Sequence, residues 1–225
     1  SPEFKKYIRK QNVPNHKLIY YPYYAEEFYK VVKVDKSLKS SLPQGFNLIF
    51  AGNIGVSQSF DTIISAFELI KDYDINLLIL GDGRDKERVL KIIKEKGINN
   101  KFYFLGTYPP EKMSYYYACA DSLLITLKKA KIFSYTIPGK LQSYLACRKP
   151  IIGALDGIGK KIISDSNSGY CSSSEDSIAL GKNIIKMYNT SLKERNFFGD
   201  NALNYFEKNF SKKKLIQKFE LIMKS

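Results

Sequence analysis

The residues best suited to chemistry are gathered in one stretch, Ile137-Pro138-Gly139-Lys140-Leu141-Gln142-Ser143-Tyr144-Leu145-Ala146, with the apolar run Ile151 to Ala154 close behind it. Pro138 starts a helix without wasting a backbone donor. Leu141 and Leu145, four apart, share one face, and Pro150 forbids continuation. A helix opening on Pro-Gly-Lys aims unpaired backbone N–H groups and a fixed positive charge at one spot, which suits a phosphate or diphosphate. The same residues would also serve as a packing helix with its lysine in water, so the elements around them decide.

Those elements repeat. Phe46 to Ala51 is an apolar strand ending in Gly52-Asn53-Ile54-Gly55, and Ile63, Ala66, Phe67 and Ile70 then follow helical spacing. Asn76 to Leu80 is a second strand, closed by Gly81-Asp82-Gly83 and followed by a helix through Val89, Ile92 and Ile93 that stops at Gly97. Phe102 to Leu105 is a third strand. Gly106 to Pro109 turns the chain, and Pro110 with Glu111 starts a tyrosine-rich helix. Ser122 to Leu127 is a fourth strand, Lys128 to Thr136 an irregular loop, and the Lys140 helix and the strand at Ile151 come next. A helix over 157–165, a short strand over 169–171 and a helix capped by Ser174, Glu175 and Asp176 complete the pattern. Strands apolar on both faces, alternating with amphipathic helices, predict a doubly wound, Rossmann-like α/β domain with a parallel sheet. In such sheets ligands lie at the carboxyl ends of the strands, where the glycines of this chain collect.

The flanks read differently. Residues 1–4 look like the remnant of a cut fusion tag, and 5–44 are a basic, aromatic connector with a possible short strand at Leu18 to Tyr21 and a polar linker from Lys33 to Pro43. The domain proper is placed at 45–195. After Asn196 come two helical stretches, the last with an apolar stripe of Leu215, Ile216, Phe219, Ile222 and Met223 that needs a partner surface.

Composition narrows the function. Three cysteines without Cys-x-x-Cys spacing argue against a disulfide framework and for a reducing, cytoplasmic setting, and a single histidine, His16, argues against histidine-based metal or triad sites. The net charge of +14 permits an anionic partner, although the lysines are dispersed. A nucleic-acid-binding module would fit that charge and the 17 tyrosines, but no stacking platform or helix-turn-helix is legible. A dinucleotide enzyme would need Gly-x-Gly-x-x-Gly, which the first loop lacks.

Phe50-Ala-Gly-Asn-Ile-Gly, Leu80-Gly-Asp-Gly-Arg, Phe104-Leu-Gly-Thr-Tyr-Pro and Ala146-Cys-Arg-Lys-Pro-Ile-Ile, in this order, resemble the C-terminal, donor-binding half of a retaining GT-B glycosyltransferase. The similarity is to glycosyltransferase family four, and within it to enzymes of bacterial surface-polysaccharide assembly. A GT-B sugar-nucleotide epimerase shares this half. The resemblance implies a nucleoside-diphosphate sugar, a UDP-sugar, as donor substrate and no cofactor or metal. It implies a lipid-linked or saccharide acceptor bound by a separate N-terminal domain, a fragment inactive alone, no nucleic acid, and an intact enzyme peripheral to the inner face of the membrane.

Family members hold the donor diphosphate with an Arg just after the first Gly and a Lys five residues on. Here those places are Asn53 and Gln58. Two family Glu positions fall on Tyr135 and Ser143, and the usual glycine before Lys149 is Arg148. With the first-loop cations missing, the charge that stabilises a departing diphosphate must come from elsewhere, and Lys140 at a helix start is the candidate clamp. Backbone support is expected from Gly52, Asn53, Ile54, Gly55, Pro138, Gly139 and Gly157. Gly81, Asp82, Gly83, Thr107 and Tyr108 are expected at the nucleobase, Gln142 or Ser143 at the ribose, and Tyr135 at the sugar.

Overall fold

The computed structural model describes residues 1–224, Lys6 in its backbone alone. Helix α1 (Pro2–Arg9) and a short 3₁₀ turn precede α2 (Lys36–Ser41), and β1 (Phe46–Ala51) then opens the repeating part. There follow α3 (Phe60–Leu69), β2 (Ile75–Leu80), α4 (Lys86–Glu95), β3 (Phe102–Gly106), α5 (Met113–Cys119), β4 (Ser122–Thr126), α6 (Lys131–Tyr135) and α7 (Gly139–Ala146). The chain closes with β5 (Ile151–Ala154), α8 (Gly157–Asp165), β6 (Gly169–Ser172), α9 (Ser177–Asn189), α10 (Leu192–Asn209) and α11 (Lys212–Lys224).

The six strands form one sheet in the order β3-β2-β1-β4-β5-β6, every neighbouring pair parallel. The doubly wound α/β expectation therefore holds. Alternate residues of β1 show why the strand is apolar throughout. Leu48 and Phe50 enter the core under α3 and α9, while Ile49 and Ala51 enter the core under α5 and α7. A strand covered on both faces has no polar side to present, which erases the period of two. The order reverses between β1 and β4, so the crevice above their carboxyl ends is where the fold leaves room for a ligand.

Five local expectations meet a different local structure. Leu18 to Tyr21 joins no sheet. It runs beside α11, where Lys218 Nζ donates to the Tyr20 carbonyl at 3.2 Å and the Tyr21 and Phe219 rings meet edge-on. The polar stretch 33–43 contains α2, because Asp35 caps it by accepting from the Leu38 amide at 3.1 Å. The loop 128–136 contains α6. Asp176 alone caps α9, accepting from the Ala179 amide, while Glu175 takes a left-handed conformation before it. The boundary drawn at 195 falls inside α10, which starts in a reciprocal Ser191–Glu194 capping box and packs on α7.

Candidate functional site

Lys140 is the second residue of α7, immediately after its Pro138 cap and Gly139. The helix is anchored by what it buries. Leu141, Tyr144 and Leu145 are inaccessible, and the Tyr144 hydroxyl, deep in the core, accepts from the Ala51 amide at 3.0 Å and donates to the Leu124 carbonyl at 3.3 Å. One side chain thus ties α7 to the end of β1 and the middle of β4. The lysine that follows from this placement lies over the first loop, its ammonium 3.9 Å from the centre of the Phe50 ring and donating to Gln58 Oε1. Burial pushes its pKa from the ordinary lysine value of 10.5 down to about 7, and no carboxylate contributes to the shift.

A cavity of about 610 Å³ opens at this point. Gly139, Lys140 and Ser143 of α7 form one side of it, and Ala51 to Asn53 and Leu80 to Asp82 form the strand-end side with Thr107 and Tyr108 beyond. The strand-end loops are drawn tight. Gly52 N donates to Leu80 O and Ile54 N to Asp82 O, both at 2.8 Å, so the first two glycine loops are stitched side by side. Gly81 makes that possible: its φ is +146°, and a β-carbon there would stand 2.0 Å from the Gly52 carbonyl oxygen. Asp82 accepts from the Gly83 amide at 2.8 Å and pairs with Lys86, and the Gly83 amide, its leading partner, holds its carboxyl below the usual range.

The sequence-predicted residues therefore separate into groups. Gly52, Asn53, Gly81, Asp82, Thr107, Tyr108, Gly139, Lys140 and Ser143 share the cavity. Gln58 touches Lys140 from behind, and Ile54 and Gly83 pack on one another in the turn. Gly55 lines a second, smaller cleft with Asn53 and Arg84. Gln142 is buried, and its amide donates to the Tyr23 carbonyl at 2.5 Å. Tyr135 stands under α1, its ring edge-on to Phe4 and its carbonyl accepting from Ser1 Oγ. Gly157, at φ +65°, lies against the Ser134 carbonyl, and Pro138 touches the Gly159 position, so this turn packs α8 onto α6 and the start of α7.

The remaining wall was not legible from sequence. Tyr23 to Glu26, Phe28 and Tyr29 of the connector line the cavity as well. Ser114 fastens this segment, donating to Phe28 O at 2.6 Å and accepting from the Lys30 amide at 3.2 Å. Tyr29 stacks on Tyr117, the Tyr23 and Tyr24 rings stack at 5.4 Å, and Lys212 of α11 reaches Glu26 at 3.5 Å. The signal available was the run of aromatic residues in 20–29, which reads as connector until its partners on α5 and α7 are known.

The surroundings of this cavity have known counterparts. A Methanocaldococcus jannaschii protein named uncharacterized glycosyltransferase MJ1069 is 28% identical over 218 residues, which is 94% of this chain and 54% of that protein. The chain thus spans about half the length of this relative. Among solved structures, sucrose-phosphate synthase (tll1590) from Thermosynechococcus elongatus superposes with a TM-score of 0.81 at 15% identity, covering all of this chain and 56% of that one. Alr3699/HepE from Anabaena, crystallised with UDP and glucose, superposes at 0.77 with 17% identity, covering 98% and 60%. The family described as glycosyl transferases group 1 matches residues 36–205. Because that match spans more than half of the 225 residues and takes in every strand and the strand-end and α7 sides of the cavity, the chain belongs to the glycosyl transferases group 1 family.

Proposed function

We propose that this chain is the donor-binding half of a retaining glycosyltransferase, taking a UDP-sugar in the cavity at the β1–β4 switch point and neutralising its diphosphate with Lys140. The observation that carries the reading is a buried ammonium without a carboxylate partner, facing a cavity edged by the start of a helix and by glycine loops. An unpaired buried cation is costly unless an anion comes to meet it. The first amides of α7 add partial positive charge at the same place. UDP in the fold-related Anabaena structure supports the choice of nucleotide.

In the proposed reaction the bond between the sugar's anomeric carbon and the diphosphate oxygen breaks as an acceptor hydroxyl attacks from the same face. The diphosphate leaves with the electron pair, and its departing oxygen takes the proton that the acceptor hydroxyl gives up as the new bond to the anomeric carbon forms. Lys140 and the helix start gather the negative charge that develops on it, and the strand-end loops hold the nucleoside in place. Thr107 and Tyr108 are proposed at the base and Ser143 near the ribose. The acceptor, a saccharide or a lipid-linked one in surface-polysaccharide synthesis, would be held by a second domain. The stripe of Ile216, Phe219 and Met223, exposed on α11, would meet that domain. The charge of +14 supports seating of the intact enzyme on an anionic membrane.

The test is calorimetry with UDP. Lys140→Ala should weaken binding by at least about thirtyfold, roughly 2 kcal/mol, the low end for losing a partner of a buried charge. Unchanged affinity would remove the reading.

A further inference from the structure

We propose that Gln58 is a positioning residue for Lys140, presenting a neutral carboxamide that fixes the ammonium at the cavity wall while leaving its charge uncancelled for a diphosphate. The inference rests on the donor-site reading above and adds a residue that acts without touching the ligand. Lys140 lines the cavity, whereas Gln58 stands outside it with its Oε1 accepting from Nζ.

The turn that carries Gln58 is rigidly held. Its amide donates to Gly55 O at 2.9 Å, its carbonyl accepts from Thr126 Oγ1 at 2.5 Å, and the neighbouring Ser57 carbonyl accepts from the Lys128 amide at 2.9 Å. The carboxamide nitrogen donates to Ser57 Oγ at 3.2 Å, which leaves the oxygen facing the lysine. With Gln58 and the Phe50 ring 3.9 Å away fixing where the ammonium sits, an ammonium group still has further N–H donors for a cavity ligand. A carboxylate of the same size at position 58 would hold the lysine as firmly but pair with it, so a diphosphate would compete with an internal salt bridge. The neutral acceptor therefore combines orientation with retained charge.

The discriminating substitution is Gln58→Glu, nearly isosteric with the original, studied by titrating the chain with UDP and, in parallel, with uridine. UDP affinity should fall by at least about tenfold while uridine affinity stays unchanged, because only the phosphates meet the cancelled charge. The rescue arm joins Gln58→Lys with Lys140→Gln, which brings an ammonium to the same point from the opposite side and should recover the UDP binding that Lys140→Gln loses alone. The inference is overturned if Gln58→Glu binds UDP as tightly as the parent, or weakens UDP and uridine alike. It is also overturned if the swapped pair melts like the parent yet binds no better than Lys140→Gln. Should Lys140→Gln itself leave UDP affinity unchanged, the donor-site reading fails instead, so the two failures are distinguishable.

Discussion

At the scale of single residues, Lys140 is held where its charge is least comfortable. Its pKa near 7 means that close to neutral pH the ammonium exists only in part, and a bound diphosphate would draw the proton back onto it. UDP affinity should therefore decline as pH rises above about 7, and binding near pH 8 should take up protons, measurable by calorimetry in buffers of different ionisation enthalpy. Lys140→Met should abolish the uptake. The unliganded chain has the opposite tendency. A lysine whose folded pKa is depressed makes its full cost felt below the folded value, so stability should climb between about 7 and the ordinary 10.5. Lys149, held at about 8 by burial at the other end of α7, adds its own rise, and only the part lost in Lys140→Met belongs to the site. The candidate role of this lysine was legible only from Pro-Gly-Lys taken together with the glycine loops at the strand ends and the first loop's missing cations. The role of Gln58 was not, because a residue 82 positions away in sequence gives no local sign that its oxygen meets the ammonium.

At the scale of elements, the glycine loops and the connector carry the geometry. Gly81→Ala would force a β-carbon into the Gly52 carbonyl at a backbone angle that L-residues rarely adopt, and should cost about 1–3 kcal/mol. Gly139 has no such restriction, with nothing within 4 Å of an added β-carbon. In the first turn of α7, Gly139→Ala should therefore be neutral or stabilise by up to about 1 kcal/mol. Thermal unfolding of the two variants decides between a shared ligand role and this division. Ser114→Ala should strip two partners from the connector and cost about 1–3 kcal/mol. Faster hydrogen exchange at the Lys30 amide would localise the loss. The sheet and its flanking helices were legible because buried parallel strands are continuous apolar runs separated by glycine turns. The connector was not, because tyrosines in an extended segment look the same whether they face water or roof a cavity. Their partners, Gln142 for the Tyr23 carbonyl and Ser114 for that of Phe28, lie on helices more than 80 residues later. Likewise α2 escaped because a single Asp35 cap was outweighed by the polar residues around it.

At the scale of the whole molecule, the cavity in its proposed role would be half of what a transfer reaction needs. It is walled by strand ends, α7 and the connector, and the proposed reading gives it the donor and leaves the acceptor to a second domain. Since the chain spans only 54% of its Methanocaldococcus relative, binding and transfer should separate in this polypeptide. A UDP-sugar at about one hundred times its dissociation constant should add about 2.7 kcal/mol of stability by mass action. For a domain of this size that corresponds to an increase in melting temperature of roughly 5–10 °C. In the same solution, sugar transfer to a saccharide acceptor should not exceed the protein-free blank, because proximity of the two substrates supplies much of the acceleration and only one of them is held. A melting temperature indifferent to UDP-sugars would contradict the donor role of the cavity, whereas robust transfer by these 225 residues alone would contradict the division of labour between two domains.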